Sequence, residues 1–452
     1  MAAALMISVS GVRGVIGQTM TPTLAMEFGQ AFGHFLRQTV PSDKPLRVAI
    51  GRDTRPSGPM VLSALTAGLL SVGVNVVDVG IATTPSVALM GRFLGTAASI
   101  VITASHNPII WNGIKFLRHD GIAFPPEQAA AIKAAWEARA GELQPIENIG
   151  HLQTDSRVHA HHVQTVLPLV DVKAIVSRHF RVVLDSVNGA GCIGTPMLLG
   201  KLGVEMVHLN GEATGHFAHI PEPTKENLTD LCAQVKRHKA AVGFAQDPDA
   251  DRLAIVDELG NYIGEEYTLA LGTYARLLSK PGPVVANLST SRMVDDIAAK
   301  FGCTVYRTPV GEANVAGKMK DVNAVIGGEG NGGLIDLRVG PVRDSFLAIA
   351  MTLDLMTRTG KTISQLVAEL PRYAMLKTKF ECTRAQADAL VVKAKNALSQ
   401  ERIDTQDGVR VDFADGWVHV RPSNTEPIAR VIAEAKTPER AQELVALIEA
   451  LK

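Results

Sequence analysis

Cysteine is scarce in this chain. Cys192, Cys232, Cys303 and Cys382 lie far apart with no Cys-x-x-Cys pair, which argues against a disulfide framework or a zinc set and for reduced thiols in a cytoplasmic protein. A surplus of either charge is also missing. The 45 Lys and Arg balance the 45 Asp and Glu, and no basic tail is present, so general binding to nucleic acid or to a membrane surface is not expected. No stretch reaches the roughly 18 uninterrupted apolar residues of a membrane span. The opening Met1-Ala2-Ala3-Ala4-Leu5-Met6-Ile7 lacks a basic flank and is soon broken by Ser8, Ser10 and Gly11, so a cleaved leader is not expected. The glycines of Asn188-Gly189-Ala190-Gly191 lack the full dinucleotide fingerprint and read as tight packing. His159, His161 and His162, with no carboxylate motif beside them, read as a solvated helix face and not as a metal cluster.

What is present is a long globular chain. Its 452 residues exceed one ordinary core and suggest three or four domains. After the glycine-flanked arginine loop Ser10-Gly11-Val12-Arg13-Gly14, short β-branched runs alternate with helical patterns. Arg47 to Gly51, Asn75 to Val79 and Ala98 to Ile102 read as strands, with helices at Met60–Val72, Ser86–Phe93 and Pro126–Ala140 between and after them. The grammar restarts at Arg181 to Asp185, in a round that ends with Leu253–Asp257 and Tyr262-Ile263 as strand, turn and strand, and again with the helix Tyr267–Leu278. The third round closes with an apolar helix at Ser345–Met356. Such alternation predicts mostly parallel or mixed sheets covered by helices. The last stretch, with strands near Val409, Trp417 and Arg430, reads as a smaller α+β domain. The expected division is 1–150, 151–255 and 256–368 for three related α/β domains and 369–452 for the fourth.

Four loops carry chemistry. Thr103-Ala104-Ser105-His106-Asn107-Pro108 follows the Ala98–Ile102 strand at its carboxyl end, where open α/β sheets bind ligands. It offers a hydroxyl nucleophile, Ser105, with His106 beside it and Lys115 a few residues on. Asp247-Pro248-Asp249-Ala250-Asp251-Arg252 sets three carboxylates at alternate positions, suited to one hard cation such as magnesium or calcium. An EF-hand is disfavoured, because Arg252 stands where the sixth position needs glycine and the flanks read as strands. A phosphatase with an aspartate nucleophile remains compatible with this loop. Gly327-Gly328-Glu329-Gly330-Asn331-Gly332-Gly333 offers the planar acceptors of Glu329 and Asn331 for sugar hydroxyls. Arg421-Pro422-Ser423-Asn424-Thr425-Glu426-Pro427, with Arg430 behind it, makes a phosphate cradle.

In this order the motifs resemble the α-D-phosphohexomutase superfamily, which includes phosphoglucosamine mutase, phosphomannomutase and phosphoglucomutase. The resemblance covers nearly the whole chain and implies four domains around a central cleft. It implies that Ser105 carries a phosphoryl group and, with Asp247, Asp249 and Asp251, holds Mg²⁺. It further implies that Glu329 and Asn331 read the sugar and that Arg421, Ser423, Asn424, Thr425 and Arg430 hold the substrate's own phosphate. His106, Lys115, Arg252 and Arg13 would assist at the serine, and a hexose 1,6-bisphosphate would act as activator. The expected partner is a small phosphosugar. Thr103-Ala104-Ser105 and Asn112 to Phe116 look most like phosphoglucosamine mutases. Asn331-Gly332-Gly333 departs from the Ser-Gly-His of many members, which leaves one sugar contact unassigned. Ser423-Asn424-Thr425 likewise departs from the Ser-Gly-Thr usual in bacterial phosphoglucosamine mutases. The rival of another class is a metal-dependent sugar phosphatase or a phosphosugar-binding protein without turnover.

Overall fold

The computed structural model describes residues 5–9, 11–41, 46–423 and 428–452. Among these, the strands form four sheets, and three of the sheets share one plan. In the second, Arg181–Asp185 lies between Glu205–Leu209 and Val242–Gln246, all parallel, and Leu253–Val256 returns antiparallel at the edge. The third repeats this with Val284–Asn287 between Val305–Thr308 and Ile326–Glu329, closed by Gly333–Ile335. In the first, Arg47–Arg52 lies between Asn75–Ile81 and Ala98–Ile102, and Trp111–Arg118 is the antiparallel strand. Gly11–Val15 and Met6–Ser8 extend that sheet on one side and Leu152–Thr154 on the other.

This plan decides where chemistry can sit. The third strand of each unit is buried along its whole length, as an apolar strand covered on both faces must be. Its successor runs antiparallel beside it, so the chain turns back in a short link at the carboxyl end. Those three links contain Ser105, the three aspartates and Asn331. The Asp247–Arg252 link stands between strands, which removes the EF-hand alternative.

The second and third sheets share one apolar core, crossed by the helix Ser345–Thr359, which is buried from Ser345 through Met356. The first sheet has its own core, packed by Phe28 and Phe32 of the helix Pro22–Thr39. The fourth sheet is antiparallel, in the order Ala374–Glu381, Ile428–Ala435, Gly416–Pro422, Val409–Asp412 and Arg402–Asp404. Helices Arg384–Ala397 and Pro438–Glu449 pack on it, the α+β unit that was expected.

Four local expectations change. The arginine loop is the strand Gly11–Val15, which pairs Arg13 with Gly113; Gly11 (φ +107°) passes so close to Ile114 that a Cβ would meet its carbonyl oxygen at 2.1 Å. Tyr262 makes only an isolated bridge to Val256, and Ile263 lies outside any strand. The Pro22–Thr39 helix, capped by the Thr21 side chain, has no counterpart among the elements read from the sequence. The histidines of the helix Val158–Val166 are not a solvated face: His159 and His162 are buried. His162 lies 2.7 Å from Ser86 Oγ and 2.8 Å from Asp344 Oδ2, and its ring stacks on Phe346. Polar partners on both nitrogens remove the desolvation penalty that kept histidine on the outside in the sequence reading.

Candidate active site

The serine loop is held from beneath by one buried arginine. Arg55 donates to the backbone oxygens of Ser105 and Asn107 at 2.7 Å each, of Pro108 at 2.8 Å and of Trp111 at 3.0 Å. Its Nε meets Asp53 Oδ2 at 3.0 Å, and Thr103 Oγ1 donates to the same carboxylate while accepting from Ser105 N. Ser105 sits at φ +50°, a left-handed conformation that costs a serine of the order of 1 kcal/mol or more and persists only where surroundings enforce it. The outcome is a buried hydroxyl aimed out of the turn. It donates to Asp247 Oδ2 at 3.1 Å and lies 3.3 Å from His106 Nδ1. Burial beside Arg252 and Arg13 pushes the His106 pKa down to about 2, so its imidazole is neutral. Arg13 Nη1 donates to Asn107 Oδ1 at 3.2 Å, which ties the first sheet's inner strand to the loop.

The three aspartates converge because the link turns at Ala250, another left-handed residue at φ +50°. One carboxylate oxygen from each of Asp247, Asp249 and Asp251 lies within 4.8 Å of the others, and all three residues are buried. At that separation each pair of charges repels by about 3 kcal/mol at an effective dielectric constant near 20. Burial and the charges of Asp251 and Asp249 accordingly raise the Asp247 pKa well above the carboxylate range. Burial acts the same way on Asp249, but Lys115 Nζ at 2.6 Å and the Thr84 hydroxyl, also at 2.6 Å, outweigh it and hold its pKa low. Both bonds go to Asp249 Oδ2. Asp249 Oδ1 and Asp251 Oδ1 are buried with no hydrogen-bond partner. Two buried carboxylate oxygens without hydrogen bonds, in a group of three carboxylates whose oxygens lie within 4.8 Å of one another, fit a hard divalent cation such as Mg²⁺. Arg252 Nε is also buried without a hydrogen-bond partner, 3.9 Å from Asp251 Oδ1.

The sugar-loop residues come to the same place. Glu329 ends the strand Ile326–Glu329, and its side chain accepts from Asn287 Nδ2 at 2.8 Å, Gly311 N at 3.0 Å and Arg343 Nη1 at 3.0 Å. Asn331 Nδ2 reaches Glu329 Oε2 at 3.5 Å, while Asn331 Oδ1 has no hydrogen-bond partner. The Asn188–Gly191 turn is indeed packing: Ala190 N donates to the Pro248 oxygen, and a Cβ on Gly189 would lie 2.8 Å from the Pro248 backbone. Arg55, Thr84, Glu312 and Arg343 were not read from the sequence. Their partners lie up to 165 residues away, and no local motif marks them.

The arginines of the expected phosphate cradle belong to the fourth sheet. Arg421 and Arg430 are directly opposed across the strands Gly416–Pro422 and Ile428–Ala435. Arg421 Nε lies 2.9 Å from Asp407 Oδ2, and Asp407 Oδ2 also accepts from Val310 N of the third unit. Ser423 N donates to the Ile428 oxygen. Asn424 and Thr425 lie outside the described residues.

Comparison with known proteins agrees with this geometry. Four models of phosphoglucomutase/phosphomannomutase match in succession: α/β/α domain I over residues 5–141, domain II over 159–260, domain III over 264–373 and the C-terminal domain over 377–451. The chain belongs to this phosphohexomutase family. A protein of Thermococcus kodakarensis named "Phosphoglucomutase/phosphomannomutase" is 40% identical to the enzyme, over 97% of this chain and 96% of its own. One of Methanopyrus kandleri named "Probable phosphoglucosamine mutase" is 37% identical over 96% and 95%. The crystal structure of a phosphoglucomutase/phosphomannomutase family protein from Burkholderia thailandensis superposes with a TM-score of 0.85 at 28% identity, covering 99% of this chain and 98% of that one. The enzyme is thus a phosphotransferase of the isomerase type, built on the four-domain α/β plan of its relatives. Among the described residues, no helix is long and apolar enough to cross a membrane.

Proposed function

We propose that this phosphohexomutase interconverts glucosamine 6-phosphate and glucosamine 1-phosphate, with Ser105 as its phosphate carrier and a hexose 1,6-bisphosphate as intermediate and activator. The reading rests above all on the Ser105 hydroxyl, 3.1 Å from Asp247 in a buried group of three carboxylates with two bare oxygens. Asp247, Asp249 and Asp251, with an oxygen of Ser105, would hold Mg²⁺, which when bound offsets charge on the transferring group.

In the forward half-reaction the ester bond between phosphorus and Ser105 Oγ breaks, and a new one forms to the free 1-hydroxyl of the 6-phosphate. The proton of the sugar hydroxyl passes, net, to Ser105 Oγ, which is left as a free hydroxyl, and in the return step the serine proton passes, net, to the 6-oxygen. The bisphosphate then turns end over end, and Ser105 recovers a phosphoryl group from the 6-position. Positioning and charge do most of this work. Lys115 stays protonated, because Asp249 and Asp251 outweigh the effect of its burial; it and Arg252 stabilise the moving charge. A neutral His106 serves as a hydrogen-bond partner to the serine oxygen and not as its base. Glu329 and Asn331 read the sugar, and Arg421, Ser423, Asn424, Thr425 and Arg430 hold its resting phosphate while the fourth domain closes.

For the amino sugar, support comes from the serine and lysine loops, from relatives named for it and from two carboxylates on the sugar side, the buried Glu329 and the partly buried Glu312. The purified protein, given Mg²⁺, a hexose 1,6-bisphosphate and glucosamine, mannose or glucose phosphate in turn, should isomerise all three classes with the highest kcat/KM on glucosamine phosphate. Preference for mannose phosphate would overturn the substrate, and release of inorganic phosphate in place of isomerisation would make the protein a phosphatase.

A further inference from the structure

Arg343, its side chain about nine-tenths covered, is the hub of this site. It stands just before the helix Ser345–Thr359, at a point fixed from both sides. Asp344 caps the helix by accepting from Phe346 N and Leu347 N, and also meets His162. Ser345 Oγ donates to the Ala250 oxygen at 2.6 Å, inside the aspartate link. From that root the guanidinium reaches three segments: the aspartate link, the end of the strand Ile326–Glu329 and the start of the helix Glu312–Asp321. Nη2 donates to Asp251 Oδ2 at 2.6 Å, Nη1 to Glu329 Oε2 at 3.0 Å and Nε to Glu312 Oε2 at 3.1 Å, and Arg343 N donates to Glu312 Oε2 at 2.9 Å.

Its path crosses the sugar loop where that loop has no side chain. A Cβ built on Gly333 would lie 2.1 Å from Arg343 Cδ and 2.7 Å from Cγ. Gly333 has no positive φ, so the glycine is required by the arginine stem and not by its own backbone. The departure from Ser-Gly-His in this loop is therefore a vacancy filled from another segment.

We propose that Arg343 is a positioning residue that sets Asp251 for the cation and Glu329 for the sugar together, and that Gly333 is the clearance it needs. Asp249 shows the same logic: Lys115 and Thr84 take its Oδ2 and leave Oδ1 bare, as Arg343 takes Asp251 Oδ2 and leaves Oδ1 bare. Fixing the outer oxygen of a ligand carboxylate orients the inner one. A guanidinium offers its donors in a fixed planar fork that sets the angles of all three carboxylates, whereas an ammonium is a compact charge on a flexible stem that sets none.

The inference rests on the reading of the aspartates as a cation site, and the test separates the two. Mn²⁺ binding to the resting protein is followed by electron paramagnetic resonance, with KM and kcat for glucosamine phosphate measured alongside. The wild type should bind one Mn²⁺, and Asp249→Asn should lose it; a wild type that binds none overturns the cation reading. Arg343→Lys and Gly333→Ala should each weaken Mn²⁺ binding about 10- to 100-fold and raise the KM for the phosphosugar. Arg338→Ala, which removes an arginine of the same segment that among the described residues pairs with Asp336, should leave both unchanged. Folded Arg343→Lys and Gly333→Ala proteins with wild-type Mn²⁺ affinity and KM, in a wild type that does bind Mn²⁺, overturn the positioning role.

Discussion

At the scale of single residues, the site divides into side chains that meet the reaction and side chains that hold those in place. Ser105, Asp247, Asp249 and Asp251 were legible because each group lies in one contiguous loop after a buried strand, so residue type and order suffice. Arg55 and Arg343 were not, since a lone arginine in a sequence does not show which distant backbone or carboxylate it will reach. Arg55 nonetheless bears the strain of Ser105: it is fully buried, and its donors fix four carbonyls of the serine loop. Replacing it with lysine keeps a charge against Asp53 but loses the fork. Arg55→Lys is therefore expected to lower kcat about 100-fold, through misplacement of the hydroxyl, with KM within a fewfold of wild type. Steady-state kinetics check this, and an unchanged kcat would show that the loop holds its shape without the arginine.

At the scale of elements, repeated strand and helix patterns exposed the sheets, whereas partner-dependent burial stayed hidden. The Val158–Val166 helix looked solvated because hydropathy counts histidine as polar, and its partners Ser86 and Asp344 come from other segments. Gly11–Val15 looked like a loop because glycine weakens the strand signal, although close approach to Ile114 is what its glycine permits. The helix Glu266–Ser279 carries a similar hidden feature at its first residue. Glu266 lies against the sugar loop, so close that a Cβ on Gly330 would overlap its Oε2, and it accepts from Ser291 N and Lys377 Nζ. Burial raises its pKa to about 7, with Lys377 opposing and Glu265 assisting. A carboxyl whose folded pKa exceeds its unfolded value keeps its proton in the folded state while the unfolded state loses it. Its stabilising share is whole below pH 4.5 and is lost as pH rises through 7. The lost share is roughly 2–3 kcal/mol. Urea unfolding at pH 5 and at pH 7.5 should show this decline in the wild type and a correspondingly flatter response in Glu266→Gln. Equal slopes in the two proteins would place the proton elsewhere.

At the scale of the whole molecule, one structural unit is used three times, and each copy presents the same hairpin link to the centre. One link gives a hydroxyl, one gives three carboxylates and one gives a glutamate and an asparagine, while the fourth sheet contributes two opposed arginines. The sequence showed the repetition as grammar but not the cross-links between units. Thr84 on Asp249, Ser345 on Ala250 and Arg343 on Asp251 join residues 165, 95 and 92 positions apart. The proposed role of Ser105 as a carrier that keeps its phosphoryl group between turnovers is tested most directly by intact-mass and peptide analysis after treatment with a hexose 1,6-bisphosphate and Mg²⁺. The account predicts a gain of one phosphoryl group on the peptide containing Ser105, no gain in Ser105→Ala, and its loss to added hexose phosphate. An isomerising enzyme with no phosphate on Ser105, or with the group on an aspartate of the Asp247–Asp251 loop, would contradict it.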